Sequence, residues 1–110
     1  MGRYINTTPG VASTVRTIST TYQALPNDRI LADCSGSAFT ITLPAAATVL
    51  AGDVVQIYDI ANNSGTNNLT VGRNGSNVNS TAADLTINVN AAIVTLTYTN
   101  VTYGWVITNN

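Results

Sequence analysis

The chain has 110 residues, of which 45% are hydrophobic and only 8% are charged. Its length fits one compact domain. Four Arg and five Asp, with no Lys, Glu or His, give a net charge of −1, which leaves no field to attract nucleic acid or an anionic membrane. Thr, Ser and Asn replace the charged residues, and Thr and Val favour strands, while strong helix formers other than Ala and Leu are scarce. An all-β fold is therefore predicted.

Residues 1–20 carry no sustained strand or helix pattern. We expect them to form an extended N-terminal arm, followed by a β-sandwich domain over residues 21–110. Two interpretations of the arm are open: it is disordered, or it lies on a neighbouring subunit, and its Val and Ile content favours the second. The candidate partner-binding residues are the arm's apolar and Arg side chains: Arg3, Ile5, Val11, Val15, Arg16 and Ile18.

From about Tyr22 onward, strand patterns alternate with turn signals. Residues 54–60 are apolar on both faces, which predicts a central strand, and Asn74-Gly75 predicts a tight turn with positive φ. Residues 45–50 form a small-residue link that could hold a helical turn. Strands are predicted at residues 30–34, 39–43, 54–60, 69–71, 85–89, 94–98 and 105–107. Seven or eight short strands at this spacing predict a small β-sandwich or jelly roll.

The residue types needed for catalysis are nearly absent. Without His, Lys and Glu, only Cys34, five Asp, hydroxyls and Tyr remain as candidates. Asp28, Asp53 and Asp84 stand at strand starts or turns, where Asp caps backbone N–H groups. Asp33 and Asp59 fall on the polar phase of their strands. We therefore predict no enzyme, no metal site and no cofactor.

Cys34 is the single cysteine, so an intrachain disulfide is excluded. It alternates with Asp33 and is predicted to be a small buried residue. The chain shows no secretion signal pattern and no apolar run of membrane-spanning length.

Three aromatic residues near the C-terminus have two interpretations. Tyr98, Tyr103 and Trp105 are either core and interface residues or a platform for carbohydrate. Their alternation with Thr on late strands favours the first.

The region from Asp28 to Ile107 resembles a small β module of tailed-bacteriophage virion proteins, including those of cyanophages. The resemblance covers nearly three quarters of the chain and departs from the family at Cys34 and at Ser80-Thr81. It rests on the order and spacing of six segments: residues 28–33, 35–36, 39–45, 52–59, 67–71 and 94–96 before Trp105.

The resemblance implies virion structure, with homotrimers common and no catalytic residues. The leading hypothesis is a homotrimeric capsid decoration (cement) protein, made in the bacterial cytoplasm and bound to the capsid shell of the mature particle by its arm and domain base. The alternative is a tail-fibre, neck or adhesin component that contacts the host surface and binds carbohydrate. The expected partners are further copies of the chain and a phage capsid or tail protein, with no nucleic acid and no membrane.

Overall fold

The computed structural model describes residues 14–109 of the chain, with side-chain environments for residues 15–108. Within this part the protein is nearly all β, as predicted. A single turn of 3-10 helix, Ala46–Thr48, lies in the small-residue link. The nine strands are β1 Thr14–Ile18, β2 Tyr22–Gln23, β3 Asp28–Ala32, β4 Phe39–Thr42, β5 Val54–Asp59, β6 Leu69–Gly72, β7 Leu85–Ile87, β8 Ile93–Asn100 and β9 Gly104–Asn109.

The strands form two mixed sheets. The five-stranded sheet has the order β1-β3-β5-β8-β9 and the four-stranded sheet the order β2-β4-β6-β7. The chain alternates between the sheets through β6, and each strand from β3 to β6 pairs in parallel with the strand two positions before it. The first six strands therefore form three successive coils, each with one strand in each sheet. The strands β7, β8 and β9 then complete the two sheets in antiparallel pairing. Parallel coils were not expected from the sequence, because a period-2 pattern is the same for both strand directions.

One hydrophobic cluster of the described residues contains buried side chains from strands of both sheets. Alternate residues of each strand are buried, as on β3, where Ile30 and Ala32 are fully buried and Arg29 is exposed. The rings of Tyr98 and Trp105 meet edge to face with centroids 5.3 Å apart. Cys34 is fully buried, as predicted.

Most predicted strands are present, with shifted ends. β5 lies in the middle of its sheet, as predicted. The turn at Asn74-Gly75 has φ values of 50° and 83°, as its sequence indicated. The strand predicted at residues 85–89 is shorter in the structure, since β7 ends at Ile87 and the Val89 side chain is 66% exposed.

β1 lies within the predicted arm. It pairs in parallel with β3, placing Arg16 opposite Ile30 and Ile18 opposite Ala32. Ile18 is half-buried and packs against the core. The last part of the predicted arm is thus an edge strand of the five-stranded sheet, whereas residues 1–13 lie outside the described residues.

The opposite edge of the five-stranded sheet is partly covered by the connection between β6 and β7. Trp105 N–H donates to the Asn77 carbonyl, and Asn79 N–H donates to the Trp105 carbonyl. This approach needs glycine at position 104, because its φ is +71° and a Cβ would overlap the Asn77 carbonyl. The described part of the chain has no helix long and apolar enough to cross a membrane.

Replacing Trp105 by Ala is expected to lower the free energy of unfolding by roughly 3–5 kcal/mol, because the change leaves a cavity at the centre of the core. Urea denaturation measures the change. Tyr103→Ala is the control, since that ring is 53% exposed, and it should change stability by less than about 0.5 kcal/mol. Equal losses in the two variants would contradict the assignment of Trp105 to the core.

Candidate interaction surface

Three of the predicted partner-binding residues lie on β1, and three lie outside the described residues. Val15 is 59% exposed, Arg16 is exposed and Ile18 turns into the core. The residues outside the described part are Arg3, Ile5 and Val11. The structure thus brings an apolar and a cationic side chain together on an edge strand.

Arg16 also contacts a buried carboxylate. Its Nε lies 3.6 Å from Asp28 Oδ1, and Asp28 is only 1% exposed. Asp28 Oδ2 accepts hydrogen bonds from the Tyr22 hydroxyl at 2.6 Å and from Leu25 N–H at 2.8 Å. Burial, together with this hydrogen bond to Asp28, raises the pKa of Tyr22 from 10.0 to about 12.

The polar cluster around Asp28, formed with Arg16, Tyr22 and Leu25, holds β1 against the rest of the protein. Asp28 Oδ1 accepts no hydrogen bond within the described chain, so the Arg16 guanidinium is the charge that compensates it. Removing one partner of such a pair leaves an uncompensated buried charge. An inward-facing charge on an edge strand also opposes backbone pairing with strands of other molecules.

Asp59, at the end of β5, is the centre of a second polar cluster. The sequence pattern placed it on a polar face, but it is only 6% exposed. Its Oδ2 accepts hydrogen bonds from the N–H groups of Asn63, Ser64 and Ala91 at 2.8–3.0 Å. Its Oδ1 accepts one from Cys34 Sγ at 3.4 Å. One carboxylate therefore joins the loop after β5 to the loop before β8.

The pKa values of this cluster follow from burial and hydrogen bonding. Burial alone would raise the pKa of Asp59, but hydrogen bonds from Ser64, Ala91 and Cys34 lower it from 3.8 to about 2. Burial and the hydrogen bond to Asp59 raise the pKa of the Cys34 thiol. Cys34 is consequently a buried thiol donor and lacks the properties of an activated nucleophile.

An apolar groove of about 500 Å³ lies between β7 and β9. Ile87 lies at its base, Val89 and Ile93 are 66% and 41% exposed, and Ile107 is half-buried. Its polar lining comes from Thr and Asn, and none of the described side chains that line it is ionisable. We call it the β7–β9 groove. An uncharged groove of this kind can bury apolar side chains of a partner without desolvating a charge.

The loop that forms the groove wall is held firmly. The Ser64 hydroxyl donates to the Val89 carbonyl, Gly65 N–H donates to Asn90 Oδ1, and Ala91 N–H donates to Asp59. Ala91 has a φ of 60°, a conformation that a non-Gly residue adopts only where its surroundings enforce it. Val89 is therefore presented on a preformed loop.

The predicted alternative of a three-aromatic platform is wrong. Tyr98 and Trp105 are 6% and 0% exposed, so neither ring can stack on a sugar. Tyr103 is exposed and lies in the turn after β8, beside Val101, which is 80% exposed. This turn is a second, smaller apolar surface.

Among residues 14–109, no group of three His, Cys, Asp or Glu side chains is placed to hold a metal ion. Three surfaces with exposed apolar side chains are candidates for contact with a partner, and the β1 edge among them also carries the charged Arg16. They are the β1 edge, the β7–β9 groove and the turn at Val101 and Tyr103.

Comparison with protein-family models gave no match, and comparison with the sequences of characterised proteins gave none either.

Sequence reasoning missed the groove, although part of its signal was present. Val89 and Ile93 flank a run of Asn and Ala that is too polar for a strand and too short for a helix, which indicates exposed apolar residues around a loop. What could not be read from this run was that it lines one groove together with Ile107 of β9.

Acidification should destabilise the protein through Asp59. Because its folded pKa of about 2 lies below its ordinary value of 3.8, this contribution is complete above about pH 5 and is lost as the pH falls from 4 towards 2. The loss is about 2 kcal/mol. It can be measured as the change in unfolding free energy between pH 5 and pH 2.

Asp59→Asn should remove most of that pH dependence and lower stability at neutral pH. The control is Asp33→Asn, because the Asp33 carboxylate serves only Ser35 at the surface and its loss should leave most of the pH dependence in place. A pH profile unchanged by Asp59→Asn would contradict the role assigned to this carboxylate.

Proposed function

We propose that this chain is a non-enzymatic structural protein of a bacteriophage virion, a homotrimeric capsid decoration protein that binds the capsid shell. The observation that carries the proposal is the uncharged β7–β9 groove, with exposed Val89 and Ile93 on a pinned loop. Exposed apolar surface on a small domain marks a site of association with other proteins. The resemblance of residues 28–107 to phage virion modules supports the same function.

The low charge of the chain supports a role within an assembly. Most soluble proteins keep their net charge away from zero, which limits association, whereas this chain has a net charge of −1 and 8% charged residues. Little electrostatic repulsion therefore opposes close packing of many copies. Thr and Asn supply the hydrogen-bonding capacity that such interfaces need.

The proposal includes a finer description of the fold. The two sheets pack face to face as a small β-sandwich, and the N-terminal residues act as a binding arm. Support for the sandwich is the hydrophobic cluster that contains buried side chains from strands of both sheets. Support for the arm is the exposure of Val15 and Arg16 on the edge strand from which it extends. Arg3 suits bidentate pairing with carboxylates of a partner, whereas the guanidinium of Arg16 pairs with Asp28 of its own chain.

A second candidate function is a tail-fibre, neck or adhesin component. The exposed turn at Val101 and Tyr103 favours it, because an exposed Tyr beside an apolar side chain is typical of surfaces that contact other molecules. Tyr103 is then the aromatic residue to test for contact with the host surface or a sugar.

Copy number separates the two candidates. A decoration protein is expected in hundreds of copies per particle and a fibre component in tens or fewer. Quantitative mass spectrometry of purified particles, with the major capsid protein as internal standard, measures this ratio. A ratio in the range of tail components would contradict the decoration role, and absence from particles would contradict both candidates.

The isolated protein is expected to be a homotrimer. Multi-angle light scattering at micromolar concentration should give a mass close to three times the 11.5 kDa of one chain. Dilution checks whether the mass reflects specific association, because a specific trimer dissociates over a defined concentration range. A strict monomer at all concentrations would overturn the trimer.

A further inference from the structure

The outer face of the five-stranded sheet carries polar side chains at its centre. Burial alternates along β5, and Gln56 and Tyr58 lie on the strand's outward phase. The strand register places Arg29 of β3 on one side of Gln56 and Thr95 of β8 on the other. Neighbouring strands are about 4.8 Å apart, so these three residues form a row across the sheet. We call Arg29, Gln56 and Thr95 the outer polar row.

Hydrogen bonds join Tyr58 to the outer polar row in a directed chain. The Tyr58 hydroxyl donates to Gln56 Oε1 at 2.9 Å, and Gln56 Nε2 donates to Thr95 Oγ1 at 2.9 Å. Thr95 Oγ1 is an acceptor in this chain, so its own hydrogen is left to donate outward. The Tyr58 oxygen has donated its hydrogen and keeps lone pairs that accept. The chain therefore offers a ligand one donor and one acceptor.

The same hydrogen bonds fix the direction of the Tyr58 ring. Residues two apart on a strand point to the same face and are separated by roughly 6.6 Å. A Tyr whose hydroxyl reaches the residue two positions before it therefore lies along its strand. Leu31 of β3 is beside Tyr58 in the register, and both side chains are half-buried. Tyr58 thus adds an aromatic surface, bordered by Leu31, to the outer polar row.

Arg29 brings an unused positive charge to this face. Its side chain is exposed, and among the described residues its guanidinium has no ion-pair partner, since the ion pair found there joins Arg16 to Asp28. The guanidinium of Arg73 donates to the Ser76 carbonyl. Arg29 is therefore the described cation that is left for a ligand.

The acidic residues near Arg29 in the chain leave this charge in place. Asp28 is buried on the inward side and is compensated by Arg16. Asp33 has the outward phase of Arg29, but four residues separate them, or about 13 Å along the strand. This distance exceeds the screening length of about 8 Å at physiological ionic strength. The Asp33 carboxylate also accepts hydrogen bonds from Ser35.

Together these groups match the chemistry of a sugar that carries a carboxylate. Sugar hydroxyls donate and accept hydrogen bonds, as the chain from Tyr58 to Thr95 requires. A guanidinium pairs with a carboxylate through two parallel N–H···O bonds. The Tyr58 ring supplies an apolar body with a polar tip, which suits the mixed surface of a sugar ring. An Asp or Glu side chain of a protein would pair with Arg29 but has no hydroxyl for the rest of the row.

We propose that the outer polar row and Tyr58 bind an acidic polysaccharide, with the carboxylate of a uronic acid unit on Arg29 and its sugar ring against Tyr58. The site lies on an open sheet face, so it suits a polymer more than a single enclosed sugar. The inference gives the second candidate function a ligand class and rests on that function for its biological role. It does not depend on the decoration role.

The test is isothermal titration calorimetry of the full chain with polygalacturonate, a polymer of uronic acid units. The control ligand is the methyl ester of the same polymer, because esterification removes the negative charge and keeps the sugar rings. Polygalacturonate should bind about tenfold more tightly than the ester, as the loss of a charge-assisted hydrogen bond predicts. Added salt should weaken the binding of polygalacturonate, because the ion pair is exposed.

Two variants locate the site. Arg29→Gln should weaken the binding of polygalacturonate about tenfold, because it removes the charge and the paired donors. Tyr58→Leu should weaken it as well, since it removes the ring and the hydroxyl but keeps an apolar side chain. Arg73→Gln is the matched control, because it removes the same charge from the turn after β6 and should leave the affinity unchanged. Circular dichroism checks that each variant is folded.

Three results would overturn the inference. They are the absence of polygalacturonate binding, equal binding of the polymer and its ester, and equal losses in Arg29→Gln and Arg73→Gln. Polyglutamate serves as a probe for an acidic protein surface. If it binds as tightly as polygalacturonate, the carboxylate alone is recognised and the sugar assignment is wrong.

None of these measurements uses phage particles, so they separate the inference from the proposed function. Sugar binding at Arg29 by a protein that is absent from particles would support the inference and contradict both candidate functions. A copy number in the range of tail components without sugar binding would support the second candidate and contradict the inference.

Discussion

The Asp59 carboxylate is the interaction on which the C-terminal half of the structure depends. It stands at the end of the central strand β5 and accepts hydrogen bonds from backbone N–H groups on two loops. One loop leads onward to β6 in the second sheet, and the other returns the chain from β7 to β8. These loops are short of apolar residues and cannot be held by burial, so a charged acceptor with several donors takes that role. The same hydrogen bonds stabilise the carboxylate, which explains its low pKa.

The two edges of the five-stranded sheet are completed in different ways. At the β1 edge, Arg16 faces inward over buried Asp28, so the edge carries a charge that discourages casual strand pairing. At the β9 edge, residues 77–80 form backbone hydrogen bonds beside Trp105, and the Asn79 side chain accepts a hydrogen bond from Ile107 N–H. One edge thus carries a charge, whereas the other is partly covered by the chain itself.

Rigidity and exposure occur together at the β7–β9 groove. Exposed apolar residues usually lie on mobile loops, where ordering them on binding costs conformational entropy. Here the Asp59 cluster has ordered the loop on folding, so a partner that buries Val89 has less entropy to lose. The strained φ at Ala91 is part of the same arrangement, since hydrogen bonds on both sides hold it. Binding in the proposed assembly therefore draws on interactions that are formed in the isolated chain.

The sequence by itself determined the all-β character, most strand positions and the burial of Cys34, because alternation of apolar and polar residues follows the geometry of a single strand. It also placed Asn74-Gly75 in a turn, since few other residues adopt that backbone. Only the tertiary structure decided that the strands wind as parallel coils, that Asp59 is buried, and that Val89 lies at a groove with Ile107. Each of these depends on which distant segments meet: the pairing of β3 with β5, the donors that surround a carboxylate, and the unequal number of strands in the two sheets. A local pattern records which face of a strand is apolar, but it does not record what that face packs against.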